Sequence, residues 1–153
     1  KPEYGTIELR ICDTPLTVET AAALAAFAQT LAHWMNSEPA KFADPRIYLP
    51  YRYNRFQAAR YGLRGQFIDA VARSQHELGE MISVTIDRLW DHARELGTTE
   101  PLLMLQRSAR TRRNDADWMR AIYAESRSFS TLARMQADIW ARSSTAQAAL
   151  ARG

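Results

Sequence analysis

The chain has 153 residues, 46% hydrophobic and 24% charged, proportions expected of one soluble globular domain with enough chain to bury a core. Lysines and arginines total 20 against 17 acidic residues, a net charge of +3 that attracts anions without singling out nucleotides, acidic substrates or nucleic acid. The single cysteine excludes an internal disulfide framework and a thiolate cluster, and neither an 18-residue apolar run nor a targeting pattern is found, which together suit a cytoplasmic setting.

In chain order, the first predicted element is Gly5-Thr-Ile-Glu-Leu-Arg-Ile-Cys-Asp13. Ile7, Leu9 and Ile11 alternate with Thr6, Glu8, Arg10 and Cys12, the period of a strand with one buried face. Glu8 and Arg10 then share the other face, about 6–7 Å apart along the strand. A carboxylate beside a guanidinium suits a metal-bound polyphosphate, the carboxylate taking Mg²⁺ and the arginine taking phosphoryl oxygens. The competing account is a surface ion pair contributing less than about 1 kcal/mol. A strand at this position needs partners to satisfy its backbone, so further chain ahead of Lys1 is expected to supply them.

Pro15 breaks the strand, and Thr17 is a good N-cap with Glu19 in the first turn, so a helix is predicted over residues 18–36. Its apolar positions include Leu24, Phe27, Leu31 and Trp34, and its alanines admit a close neighbour. His33, near its end, is expected to be a polar or capping group. Residues 36–50 carry three prolines and read as a long ordered loop anchored by Phe42, Ile47, Tyr48 and Leu49. Residues 51–62 interleave aromatics with arginines, a pattern compatible with base stacking, with structural packing, or with anion binding through the planar guanidinium fork.

A β-hairpin is predicted over 66–78, with Arg73 and Ser74 near the turn, then a helix over 79–96 ending at Gly97. His76 and His92 form no metal motif by spacing and are expected to be surface or satisfied polar groups. A threonine N-cap and Pro101 open the next helix, through Leu102, Leu105 and Ala109, and the arginines between 107 and 113 suit a solvated helix end. Asn114 or Asp115 caps a helix expected to bury Trp118, Ile122 and Tyr123. Ser128 or Ser130 starts the last helix, with Leu132, Met135, Ile139 and Trp140 on one face and a fraying tail beyond Arg142.

Two blocks carry a resemblance. Tyr4-Gly-Thr-Ile-Glu-Leu-Arg-Ile-Cys-Asp-Thr-Pro-Leu-Thr17 resembles the last core strand of the carboxylate–amine ligases, the glutamate–cysteine ligase type 2 family. Tyr53-Asn-Arg-Phe-Gln-Ala-Ala-Arg-Tyr-Gly62 resembles that family's downstream signature at about the expected separation. The resemblance implies an α+β fold: the predominantly helical C-terminal part of a glutamine synthetase-like antiparallel sheet domain, with one core strand near 5–13 and a hairpin near 66–78. Residues 1–153 would be the C-terminal portion of one catalytic domain, because the family's glutamate-rich N-terminal motif has no counterpart here.

The same resemblance implies an ATP- and Mg²⁺-dependent ligase that activates the γ-carboxylate of glutamate for attack by an amine or amino acid such as cysteine. Glu8 would hold the metal, Arg10 would stabilise the transferred phosphoryl group, and Asn54, Arg55 and Arg60 would line the mouth of the site. The fragment alone is expected to be inactive, its partner being the N-terminal portion of the same protein; a homo-oligomer is compatible with this. A non-catalytic helical interaction module is the alternative. A nucleic-acid binder is disfavoured, because no helix-turn-helix, zinc or RNA-recognition signature is found, and no membrane partner is expected.

Overall fold

The computed structural model describes residues 2–6, 8–9, 12–39 and 44–150. Among these the chain is mostly helical with one small antiparallel sheet, as the α+β expectation requires. The helices are α1 (Val18–Ser37), α2 (Tyr51–Tyr61), α3 (Leu78–Arg88), α4 (Trp90–Leu96), α5 (Thr99–Thr111), α6 (Asp115–Ser126) and α7 (Phe129–Leu150), and the strands are β1 (Gln66–Asp69) and β2 (Ser74–Glu77). Among the described residues, no helix is long and apolar enough to cross a membrane.

The strand expected over 5–13 is not formed among the described residues of that stretch, and Ile7, Arg10 and Ile11 lie outside them. A short 3-10 turn at Pro2–Tyr4 leads into Gly5, and the described residues from Thr6 to Thr14 carry no regular structure. A ladder requires a second strand, and the only sheet among the described residues pairs β1 with β2.

Local signals place the rest. Thr17 caps α1, its hydroxyl accepting from the Thr20 N–H at 3.1 Å. Helix α1 then buries Ala23, Ala26, Thr30 and Trp34, one helical stripe. It lies against α4, α5 and α7. Helix α5 also packs on α3, and the core joins Ala26, Trp34, Ile86, Leu89, Ala93 and Leu102, with Phe27, Leu31, Ile82 and Leu105 against it. Each fully buried leucine or isoleucine of this set contributes about 1.5–3 kcal/mol by leaving water.

The helix expected over 79–96 is two helices. Leu89 separates them with ψ near −3° while its N–H still bonds the Thr85 and Ile86 carbonyls, and its side chain is fully buried. Burial at a break, with neither proline nor glycine, gives no sequence mark. Gly97 ends α4 in the left-handed conformation, φ 69°, as its position predicts.

Asn114 closes a capping box with Asp117 at the start of α6. The adjacent Asp115 is used elsewhere, accepting from the Leu16 N–H at 2.7 Å and tying the segment before α1 to α6. Trp118, Ile122 and Tyr123 are half-buried rather than buried, because α6 lies at the edge of the bundle and meets chiefly α7. Ser128 accepts from the Thr131 N–H at the start of α7, and Leu132 is buried as expected. The α7 backbone stays helical to Leu150 where a fraying tail was expected, in keeping with its alanine content.

Candidate functional site

The arginine- and aromatic-rich segment forms α2. Its entry is fixed by Asp44, which caps the 3-10 turn Pro45–Tyr48. Hydrogen bonds from the Arg46 side chain and backbone N–H hold the Asp44 carboxyl down to about 2. Helix α2 buries none of its residues. Its position comes instead from polar bonds to the hairpin. The Asn54 amide donates to the Ile68 carbonyl at 2.9 Å and accepts from the Ile68 N–H at 2.8 Å, acting as a substitute strand partner for β1. Gln57 accepts from the Gln66 N–H at 3.1 Å. Gly65 lets the two elements approach, since a Cβ there would sit 2.6 Å from the Gln57 carbonyl oxygen.

The hairpin carries the register Gln66↔Glu77 through Asp69↔Ser74. Its turn is set by Asp69, whose carboxylate accepts from the Val71 and Ala72 N–H groups, both at 2.9 Å, and by Arg73 at φ 54°. Bonds from Arg112 to Glu77 link the far strand to the end of α5. A floor of hairpin and helix ends thus holds α2 while its outer face is open.

On that face Arg55 lies with Tyr51, Arg52, Phe56 and Ala59 around a shallow concavity of about 330 Å³. Arg60 places its guanidinium 5.7 Å from the centre of the Tyr61 ring, within cation–π range. Tyr61 in turn meets Phe56 edge-on, ring centres 6.3 Å apart. The arrangement offers cations and flat apolar faces together, chemistry suited to a carboxylate or phosphate attached to a planar or aliphatic body.

A larger cleft of about 600 Å³ lies between the segment before α1 and the helices, with Cys12, Asp13, Phe27, Ile82, Leu105 and Met119 in its walls. That volume is within the range of small-molecule sites. Among the described residues, Glu8, Asn54, Arg55 and Arg60 are not in its walls. Glu8 is exposed on the irregular N-terminal segment. Arg10, the expected phosphoryl-binding residue, lies outside the described residues. Asn54, Arg55 and Arg60 share α2, with Arg55 and Arg60 exposed and Asn54 committed to Ile68. As an exposed carboxylate, Glu8 fits the hard, oxygen-preferring Mg²⁺, which needs only one or two protein carboxylates beside phosphate oxygens.

Two histidines expected as separate polar groups are brought together. His33 of α1 and His92 of α4 place their Nδ1 atoms 3.0 Å apart, and His33 Nε2 lies 3.9 Å from a Glu95 carboxylate oxygen. Their 59-residue separation hides this pairing from any spacing rule. His76 bonds Ser74 across 3.0 Å and is a satisfied polar group, as expected.

Comparison with known proteins adds identity to this geometry. A family model described as glutamate-cysteine ligase family 2 matches residues 2–141. Proteins carrying the name "Putative glutamate--cysteine ligase 2" from Janthinobacterium sp. (strain Marseille) and Herminiimonas arsenicoxydans are 45% and 44% identical over 140 residues. A protein of the same name from Chromobacterium violaceum is 45% identical. Each alignment takes in 92% of this chain, and 37–38% of the relative, so the chain spans under two fifths of the curated relatives it matches. The match runs through the N-terminal segment, α2 and the helical core alike, and the chain belongs to glutamate-cysteine ligase family 2.

Proposed function

We propose that this chain is the C-terminal part of an ATP-dependent glutamate–cysteine ligase, contributing anion-binding side chains to a site completed by other parts of the protein. The family match over residues 2–141, with relatives 45% identical that bear the ligase name, carries this reading. In the reaction, a γ-carboxylate oxygen of glutamate attacks the γ-phosphorus of ATP, ADP leaves, and an acyl phosphate results. The amine nitrogen of cysteine, or of another acceptor, then attacks the acyl carbon. Phosphate leaves with the C–O bond electrons, and the amine loses a proton as the amide forms.

Such chemistry rests on positioning and charge neutralisation rather than on a covalent nucleophile. Glu8 would hold Mg²⁺, which supplies charge neutralisation at the phosphates. Arg10 would bind the transferred phosphoryl oxygens through its planar fork. Arg55 and Arg60, exposed on α2, would hold carboxylate or phosphate groups at the mouth. Asn54 would act by fixing α2 to β1 and so aiming those arginines.

A second reading, a non-catalytic interaction module, is favoured by one observation: α2 buries nothing and exposes Tyr51, Phe56 and Tyr61. Glutamate-dependent ADP formation separates the two. The full-length protein should release ADP only with glutamate, ATP and Mg²⁺ together, and the 153-residue chain alone should release none. A full-length protein that binds partners yet shows no such turnover would contradict the ligase. Turnover by the isolated chain would contradict the shared site.

A further inference from the structure

We propose that His33, His92 and Glu95 form a binding site for a first-row divalent metal ion of the zinc class, clasping α1 to α4. One ligand atom from each of the three side chains lies within 4.8 Å of the other two. His92 and Glu95 are three apart on α4 and therefore share one face of it. His33 comes from the last turns of α1, which packs beside α4.

The 3.0 Å between the two Nδ1 atoms is close to the roughly 3.3 Å expected for two imidazole nitrogens on one tetrahedral zinc. Two imidazoles and a carboxylate suit Zn²⁺, Co²⁺, Ni²⁺ or Cu²⁺, and are a poor set for Mg²⁺, which takes oxygen donors. The site is thus chemically distinct from the Mg²⁺ assigned to Glu8. The His33 and Glu95 side chains are 40% and 65% exposed, so an ion can enter from solvent and keep water in its remaining positions.

The scaffold beneath is closely packed. One turn before His33, Thr30 is fully buried, and its hydroxyl bonds that of Thr98 at 2.7 Å. Ala26 and Ala93 are buried in the same contact. Ligands carried on packed helices hold their geometry better than ligands on loops. Without metal the same pair is a histidine–histidine hydrogen bond, one Nδ1 donating and the other accepting. A metal ion would take the Nδ1 lone pair of each ring, the donor histidine carrying its proton on Nε2 instead.

The test is a Co²⁺ titration of the chelator-treated, full-length protein, read by visible ligand-field absorption, followed by Zn²⁺ displacement. One saturable ion tied to this chain is expected, unaffected by excess Mg²⁺. His33→Gln and His92→Gln should each weaken it by more than about tenfold, beyond the smallest loss that an outer-shell partner produces. Glu95→Gln should weaken it as well. Far-UV circular dichroism checks that each variant folds. Should one not fold, imidazole ¹⁵N resonances of the unaltered protein decide: Zn²⁺ should shift those of His33 and His92 and leave His76 in place. Unaltered affinity in folded His33→Gln and His92→Gln, or imidazole signals of His33 and His92 that ignore Zn²⁺, would overturn the proposal. Ligase turnover is not the readout, so failure here leaves the proposed function standing.

Discussion

Helices α2 and α3 are both eleven residues long, yet they serve opposite ends. Helix α3 inserts Ile86 into the core and packs on α5, whereas α2 buries no residue and hangs from the hairpin by the side chains of Asn54 and Gln57. Burial makes α3 a source of stability, and a substitution there is felt by the whole bundle. Polar tethering makes α2 a presenter: its backbone is positioned while Arg55, Arg60 and the aromatic rings remain available. Under the proposed function this separation is an advantage, because arginines kept out of the core need no buried counter-charge.

The contrast can be broken most forcefully in the core. Leu102 is fully buried beside Ile86 and Leu89, and Leu102→Ala should cost about 2–5 kcal/mol, read by denaturant or thermal unfolding. Asn54→Ala should cost less, about 1–3 kcal/mol, because it strands the Ile68 N–H and carbonyl without their partner. Hydrogen exchange should quicken at β1 and α2 and stay slow in α1 and α5. A uniform quickening would mean that α2 is part of the core after all. At the small end, Arg55→Ala and Arg60→Ala should each change stability by no more than about 0.5 kcal/mol. At least one of them should sharply reduce glutamate-dependent ADP formation in the full-length protein.

The same contrast explains what the sequence disclosed. Helix α1 was legible almost to the residue, since Thr17, Glu19 and the apolar stripe are local signals read against a buried face. Gly97 and the Asn114 cap were legible for the same reason. The hairpin's place is legible over 66–78, whereas Asp69, which sets its turn through side-chain bonds, carries no spacing signal of its own. Helix α2 gave no periodicity because nothing buries it, so polarity there carried no phase information. Its arginines and aromatics are exposed, the arrangement that the proposed anion-binding role needs. Asn54, expected at the mouth of the site, bonds β1 through its amide, a partner fourteen residues on that only the fold supplies. The His33–His92 contact was out of reach for the same reason. The alternation over 5–13 described a face without describing a partner, and strand formation needs both.

In the proposed function, Glu8 and Arg10 act on metal and phosphoryl groups rather than on folding. Glu8→Gln keeps shape and hydrogen bonding while removing the anionic ligand that Mg²⁺ prefers. Arg10→Lys keeps the charge while removing the two-pronged fork. The decisive measurement is ADP formation by the full-length protein at saturating ATP and glutamate, alongside the thermal melting of each variant. Turnover should fall steeply in both, with stability changed by less than about 1 kcal/mol. Unchanged turnover in both variants would contradict the account and leave the arginines of α2 as this chain's remaining candidates for the reaction.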